Sequence, residues 1–303
     1  MKKHEAAKLA PLSPEVLRTA HRLMLKILKE VHRVCEENGI RYFLSDGTLI
    51  GAVRHNGFIP WDDDIDISML RSDYDRFCKI ASEKLGAEYF LQTDETDVGY
   101  GLYFAKVMLK HTRWIEADAS DTSRAISGIY IDIFPFDKIP EDRKKWNALQ
   151  RKFRALDSII KIKTNYCGIY NIHGIHHKAY YCLKKAIGFL LPLNSWKAKR
   201  TGLCVKYEAL PSSFVLVRYQ VFARRNESEK DLNAVDNFTS LVLHDFEGEQ
   251  FYIPEKYDAV LKQYYGDYMT LPPPEKRCNH GIVEYDFGAY SQDYKQSFYK
   301  EER

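Results

Sequence analysis

The sequence predicts an α+β fold in which a mixed β-sheet, flanked by helices, is interrupted by a basic helical insertion. The first observation is the length of 303 residues, which suits one large domain or two. The second is that strand and helix patterns alternate along residues 1–140 and again along residues 207–303. The third is that residues 141–206 are mainly helical in pattern and strongly basic. We therefore predict a core formed by residues 1–140 and 207–303, with residues 141–206 inserted into it.

The composition excludes several classes of protein. With 45% hydrophobic and 29% charged residues, the chain is neither disordered nor a small disulfide scaffold. The six cysteines are scattered and form no Cys-x-x-Cys pair, which is typical of reduced cytosolic thiols and not of a zinc site. Residues 1–8 lack the apolar stretch of a secretory signal, so we expect a cytoplasmic protein.

The opening helix has the clearest signals along the chain. Ser13 and Pro14 predict its N-terminus, apolar residues recur at helical spacing, and Gly39 predicts its end. A polar stretch at residues 118–124 is predicted to be mobile. The other predicted elements are strand 40–44, helix 47–53, a turn at 56–57, strand 64–70, helix 72–85, strands 88–92, 100–109 and 128–134, a hairpin at 242–253 that turns at 247–248, and helix 254–265.

Charge divides the chain into two parts. Residues 143–206 contain 15 Lys or Arg side chains and one acid, Asp157, whereas the rest contains 30 basic and 41 acidic residues. The apolar run at 186–193 is too short to cross a bilayer, which requires about 20 residues. A basic segment with interleaved apolar residues can instead lie on an anionic membrane, and we expect peripheral binding to the inner face of the cell membrane. The alternative is a basic helical surface in water. Nucleic-acid binding is not expected, although Lys and Arg alone do not distinguish lipid phosphates from RNA phosphates.

Two acids of the strand at 64–70 are predicted to share one face. Side chains alternate along a strand, so Asp64 and Asp66 point one way while Ile65 and Ile67 point into the core. Like charges about 4 Å apart repel by roughly 4 kcal/mol at an effective dielectric constant near 20, which favours a cation between them. Carboxylate oxygens suit magnesium or manganese.

Two further acids can join this pair. Asp62 has the same parity and is predicted as a metal ligand or as a group that supports the ligands, whereas Asp63 has the opposite parity. The tripeptide Ile-Asp-Ile recurs at 131–133, where Asp132 would complete a three-carboxylate site if the two strands are sheet neighbours. The alternative is a half-exposed strand whose polar side chains face water.

The segment before the acidic strand offers groups for phosphate binding. Gly47 and Gly51 bracket a stretch where backbone N–H groups and a helix N-terminus can approach a phosphate, with close packing as the alternative. Arg54 and His55 lie in the connection to the acidic strand. A cation there can hold a phosphate oxygen, and an ordinary polar turn is the alternative.

Residues 45–67 resemble the signature of a known family. They read Ser-Asp-Gly-Thr-Leu, then Gly-Ala-Val-Arg-His, then Gly-Phe-Ile-Pro-Trp-Asp-Asp-Asp-Ile-Asp-Ile. This pattern is similar to that of the LicD family, within the nucleotidyltransferase-fold superfamily. The resemblance spans roughly residues 38–280 and leaves residues 141–206 unmatched. It implies a nucleotidyltransferase-like sheet, with Gly47, Asp64, Asp66 and Asp132 in the site positions of that superfamily.

The resemblance also implies an activity. It is transfer of a phospho-alcohol from a CDP-activated alcohol, typically CDP-choline, to a sugar of a cell-surface glycan or of its lipid-linked precursor. The vertebrate relatives, fukutin and fukutin-related protein, use CDP-ribitol. If the phosphorus that bears the alcohol is attacked, CMP leaves; attack on the other phosphorus would transfer the nucleotide itself. A further alternative is a scaffold without catalysis that binds membrane or glycan.

The predicted site follows from these patterns. Asp64, Asp66 and Asp132 are the predicted catalytic residues, and with Asp62 they would hold Mg²⁺, or Mn²⁺. Asp132 is either a metal ligand or the base that takes the acceptor proton. Lys106, on an apolar strand, is a predicted phosphate contact or an ordinary strand-edge lysine, and only the resemblance adds His280. The predicted donor-binding residues are Gly47, Thr48, Arg54, His55, Lys106 and His280.

Overall fold

A computed structural model describes residues 12–116, 124–166, 175–209, 214–217, 232–277, 279 and 281–291. Nearly all of the stretch predicted to be mobile, 118–124, lies outside these residues. Seven α-helices are described: α1 Pro14–Asn38, α2 Asp46–His55, α3 Arg71–Lys84, α4 Arg143–Lys163, α5 Ile175–Gly188, α6 Leu193–Cys204 and α7 Tyr257–Tyr265. None of the helices within the described ranges is both long enough and apolar enough to span a membrane.

Eleven strands are described, and seven of them form one mixed sheet. The strands are β1 Phe43–Leu44, β2 Asp66–Leu70, β3 Tyr89–Gln92, β4 Ala105–Leu109, β5 Arg113–Glu116, β6 Tyr130–Lys138, β7 Phe214–Val217, β8 Leu232–Ala234, β9 Leu241–Phe246, β10 Glu249–Pro254 and β11 Ile282–Asp286. The main sheet has the order β1-β2-β6-β4-β3, and β7 pairs with the far end of β6 and with β8. Only β2 and β6 run parallel; the other pairs are antiparallel. The predicted α+β fold is confirmed.

Helix α1 covers one face of this sheet and begins and ends where the sequence predicts. The Ser13 side chain accepts a hydrogen bond from the Val16 N–H at 3.3 Å, and Gly39 ends the helix with a left-handed φ of 57°. The apolar face of α1 packs against fully buried isoleucines of β2 and β6, such as Ile67 and Ile133. Burying each such side chain contributes about 1.5–3 kcal/mol, so this layer holds the sheet to the helix.

The insertion packs on the opposite face of the sheet. Phe134 of β6 and Phe104, just before β4, lie in one buried cluster with Trp146 and Phe153 of α4 and with Cys204 at the end of α6. Phe134 has the same parity as Asp132, so α4 lies on the face of the sheet that displays the aspartates. The division into core and insertion stays a prediction.

Several strand boundaries differ from the prediction. The strand predicted at 100–109 begins only at Ala105, because the segment before it is coil held by side chains of the insertion. The strand predicted at 128–134 extends to Lys138, where it pairs with β7. The hairpin is confirmed: β9 and β10 are joined at Glu247 and Gly248, whose φ angles are 54° and 77°.

Candidate active site

Polar side chains form a row across the aspartate face of the sheet. Asp66 of β2 lies opposite Asp132 of β6, and Asp132 lies opposite Lys106 of β4. The Lys106 Nζ is 3.0 Å from Oδ1 of Asp132. The Asp132 N–H also donates to the Ile65 carbonyl at 2.9 Å, which locks the register of the two strands. The strands of the two Ile-Asp-Ile tripeptides are therefore sheet neighbours, as a three-carboxylate site requires.

The alternation predicted for the acidic segment is present even before β2 begins. Asp62, Asp64 and Asp66 are half-buried, whereas Asp63 and Ile65 are buried on the other side. Three carboxylates of the same parity thus face the row, and Asp63 is turned away from it, as predicted.

The carboxylates repel one another strongly. Burial raises the pKa of Asp66 well above its usual range, and the charges of Asp64, Asp132 and Asp62 raise this pKa further. Lys106 acts in the opposite direction and lowers the pKa of Asp66. A site with four acids and this lysine has an excess of negative charge in a poorly solvated position, which is the condition that favours a bound cation.

These residues fit a hard divalent ion by their chemistry. All four candidate ligands supply carboxylate oxygens, which Mg²⁺ and Mn²⁺ prefer. Within the described residues, no three His, Cys, Asp or Glu side chains are already arranged around a metal position. The fit therefore rests on donor type and on mutual repulsion.

The first turn of α2 supports the acidic segment. A Cβ atom at Gly47 would lie 2.7 Å from Oδ2 of Asp62, so the absence of a side chain lets this carboxylate approach the helix. The Thr48 hydroxyl oxygen accepts a hydrogen bond from the Asp66 N–H at 2.8 Å. Gly47 and Thr48 thus position Asp62 and Asp66. The second glycine of the motif, Gly51, packs on the Gly57 carbonyl, which favours close packing as its role.

Gly47→Ala and Gly51→Ala are expected to differ in their effects. At Gly47 the new Cβ meets the end of a flexible side chain, so Asp62 moves and the free energy of unfolding changes by less than about 1 kcal/mol. At Gly51 it would lie 2.4 Å from backbone, which costs about 1–3 kcal/mol. Urea denaturation measures stability, and the Mg²⁺-dependent rise in melting temperature measures ion binding. Gly47→Ala should weaken the binding of Mg²⁺ and leave stability nearly unchanged. Equal loss of stability in both variants would contradict this assignment.

Arg54 and His55 lie at the end of α2 beside a second arginine. The Arg54 Nε donates to the His55 ring at 2.9 Å, and another Arg54 nitrogen donates to the Tyr268 carbonyl at 2.6 Å. Burial and the nearby Arg277 lower the pKa of Arg54, and burial and Arg54 lower the pKa of His55. Arg277 itself lies 5.0 Å from the centre of the Trp61 ring. Two guanidinium groups thus gather next to the acidic segment, where they could bind phosphate.

Lys106 borders a small cavity next to Asp132. Its ammonium group lies 3.2 Å from the centre of the Tyr130 ring, and the Tyr130 hydroxyl donates to the Glu116 carboxylate. The cavity has a volume of about 240 Å³ and is also lined by Gln92 and Tyr166. This space suits a small polar molecule better than a whole nucleotide.

Two nearby residues were missed by sequence reasoning. Tyr100 is fully buried, and burial and the charge of Asp132 raise the pKa of its hydroxyl. The other is Arg277, whose charge acts on Arg54. Both lie in coil, where no periodic pattern indicates the direction of a side chain. Of the predicted residues, His280 lies outside the described part of the chain.

The mixed sheet, with an Asp-x-Asp strand and a third acid on its parallel neighbour, is the arrangement that the resemblance to the nucleotidyltransferase-fold superfamily implies. The family described as LicD/FKTN/FKRP, nucleotidyltransferase domain, matches residues 39–161. The chain is 30% identical, over 269 residues, to the lipopolysaccharide cholinephosphotransferase LicD of Haemophilus influenzae, covering 88% of this chain and 97% of that protein. This chain belongs to the LicD family.

A shorter similarity links the chain to animal proteins. It is 43% identical over 53 residues to the ribitol 5-phosphate transferase FKRP of Homo sapiens, and equally so to that of Mus musculus. The matched part is 16% of this chain and 11% of each relative. The resemblance inferred from residues 45–67 is thereby confirmed at the level of the family.

Proposed function

We propose that this chain transfers a phospho-alcohol from a CDP-alcohol to a sugar hydroxyl of a cell-surface glycan or of its lipid-linked precursor, and releases CMP. Phosphocholine is the proposed group, because similarity to the cholinephosphotransferase covers most of both chains. The observation that carries the proposal is the row of Asp66, Asp132 and Lys106 across three neighbouring strands. A diphosphate ester is cleaved by neutralising charge and aligning the attacking oxygen, and this row supplies groups for both.

The proposed cofactor is Mg²⁺, with Mn²⁺ as an alternative. Asp64 and Asp66 would hold the ion, and Asp62 would hold or support it. Once bound, the ion neutralises charge on the diphosphate of the donor. Every proposed ligand is a carboxylate, and the charges of Asp64, Asp132 and Asp62 all raise the pKa of Asp66, which supports the assignment.

The remaining steps use groups of the chain itself. The oxygen of the acceptor hydroxyl attacks the phosphorus that bears the alcohol, the P–O bond to CMP breaks, and the hydroxyl proton passes to a carboxylate. Asp132 is the proposed base, since Lys106 holds its Oδ1 at 3.0 Å and thereby orients the side chain. Arg54 and Arg277 are the proposed contacts of the CMP phosphate that leaves, because they gather beside the acidic segment.

The test is an analysis of products with four donors. The protein is incubated with Mg²⁺, a sugar acceptor and CDP-choline, CDP-ribitol, CDP-glycerol or CDP-ethanolamine in turn. We expect CMP and a phosphodiester-linked acceptor, with CDP-choline as the best donor and no reaction in EDTA. A nucleotidylated acceptor would reject the proposed direction of attack. Failure of every donor to raise the melting temperature in the presence of Mg²⁺ would reject the donor class itself.

A further inference from the structure

The outward face of α5 is apolar, although it faces away from the protein. Tyr181, Lys184 and Gly188 are buried and face the rest of the molecule. The exposed residues of the opposite side recur at positions i, i+4, i+7, i+8 and i+11, which place them on one face of a helix. They are Ile175, Ala179, Cys182, Leu183 and Ala186.

The apolar face continues into the turn after α5. Phe189, Ile175 and Leu190 are the three most exposed large hydrophobic side chains in the described residues, at 77%, 75% and 74%. Soluble monomers rarely display such a contiguous apolar patch unless it is an interaction site. We name the outward face of α5 together with Phe189 and Leu190 the α5 surface.

Cations border the α5 surface along one side and at its C-terminal end. Lys178 and Lys185 are exposed along one side of the helix, and the Lys163 Nζ lies 5.7 Å from the centre of the Phe189 ring. The whole segment 143–206 has 15 basic residues against one acid. This arrangement matches an anionic lipid surface. The apolar side chains can enter the boundary of the acyl chains, and the lysine ammonium groups can contact the headgroup phosphates.

The α5 helix is connected to the candidate site through α4. Lys163, at the end of α4, donates to the Gly188 carbonyl at 2.8 Å and so ties α4 to the end of α5. Tyr166, three residues after Lys163, lines the same cavity as Lys106. The end of α5 is thus joined through α4 to the wall of the cavity beside Lys106.

We propose that the α5 surface docks the protein on an anionic membrane and presents the site to an acceptor at the lipid interface. The docking is independent of the chemistry of the site, whereas the presentation of the acceptor rests on the proposed function. The apolar residues supply the depth of insertion, and the bordering lysines supply the preference for anionic lipid.

Vesicle co-sedimentation of the full chain, without nucleotide, tests the docking. The vesicles are phosphatidylcholine alone, or phosphatidylcholine with about 30% phosphatidylglycerol. We expect at least about tenfold stronger binding to the anionic vesicles, and a further loss of about tenfold or more in Phe189→Ser/Leu190→Ser. Lys178→Gln/Lys185→Gln should reduce only the preference for anionic lipid. Val242→Ser/Leu243→Ser changes two exposed apolar residues of β9 and is the matched control, expected to bind like the wild type.

Three outcomes would overturn the docking. The first is equal binding of the wild type to neutral and anionic vesicles. The second is binding of Phe189→Ser/Leu190→Ser as strong as that of the wild type. The third is a wild-type dimer that becomes a monomer in this variant, while neither protein binds vesicles. The last would identify a second copy of the chain as the occupant. Circular dichroism and the melting temperature show whether each variant is folded.

Activity with two acceptors separates this inference from the proposed function. Phe189→Ser/Leu190→Ser should transfer to a soluble sugar at the wild-type rate and lose transfer to a lipid-linked sugar in anionic vesicles. If the variant matched the wild-type rate with both acceptors, the α5 surface would not present the acceptor to the site. If the wild type binds anionic vesicles but uses no CDP-alcohol, the proposed function fails while the docking stands.

Discussion

Asp66→Asn is expected to lower kcat for phospho-alcohol transfer by a factor on the order of 10³. The amide has nearly the shape of the carboxylate, and the Asp66 backbone N–H that binds Thr48 is unchanged, so the strand stays in place. What is lost is a negative charge directly opposite Asp132, in the position proposed to hold the divalent ion. CMP release at saturating CDP-choline and Mg²⁺ measures the effect.

The same substitution is expected to stabilise the metal-free protein at neutral pH, by about 1 kcal/mol. Burial and neighbouring acids raise the pKa of Asp66 in the folded state, so the folded state binds this proton more tightly than the unfolded state does. Ionised Asp66 therefore costs stability increasingly as the pH rises above the ordinary carboxylate range. The advantage of asparagine should be largest above the raised pKa and vanish below about pH 4, where the carboxyl is protonated in both states. Urea denaturation in EDTA across this pH range measures it.

The matched control is Asp245→Asn, which makes the same chemical change at an exposed carboxylate of β9. We expect it to leave both kcat and stability close to those of the wild type. An Asp66→Asn protein that is less stable at neutral pH would show that the carboxylate has a structural role. Turnover at the wild-type rate would remove Asp66 from the proposed site.

The parts of the site that were predicted depend on local periodicity. The parity of Asp62, Asp64 and Asp66 follows from the two-residue repeat of an extended chain, and the burial of Ile65 between them fixes which way they face. Lys106 could be placed on a strand because apolar residues flank it on both sides. That Asp132 lies beside Asp66 depends on the order of strands in the sheet, which one strand's pattern does not contain.

The basic insertion shows why the rest could not be predicted. A high density of lysine and arginine indicates a surface exposed to water or lipid, and the α5 surface is exposed. Arg200 and Lys197 of the same segment are nevertheless buried, and Lys197 donates to the carbonyl of Asp94 at 3.0 Å. Such contacts join residues about a hundred positions apart, so no local pattern distinguishes these two cations from their exposed neighbours.

Arg200→Met is expected to lower the free energy of unfolding by about 3–5 kcal/mol. The Arg200 guanidinium is 0% exposed; it donates to Asp157 Oδ1 at 2.7 Å and contacts both carboxylate oxygens of Asp94, the longer at 3.1 Å. It also donates to the carbonyls of Gly101 and Leu102, at 2.7 and 3.0 Å. Methionine fills a similar volume but leaves two acids without their main cation. The loss is a large fraction of the roughly 5–15 kcal/mol that stabilises a typical domain.

The effect of Arg200→Met should also reach the site. Residues 101 and 102 precede β4, so loss of their carbonyl contacts should loosen the segment that leads to Lys106 and lower kcat even at temperatures where the protein stays folded. Lys199→Met removes an exposed charge one position away and is the matched control. Urea denaturation and CMP release are measured on both variants. If Arg200→Met were as stable as Lys199→Met, the insertion would not be anchored through Arg200, and the link between α6 and Lys106 would have to be abandoned.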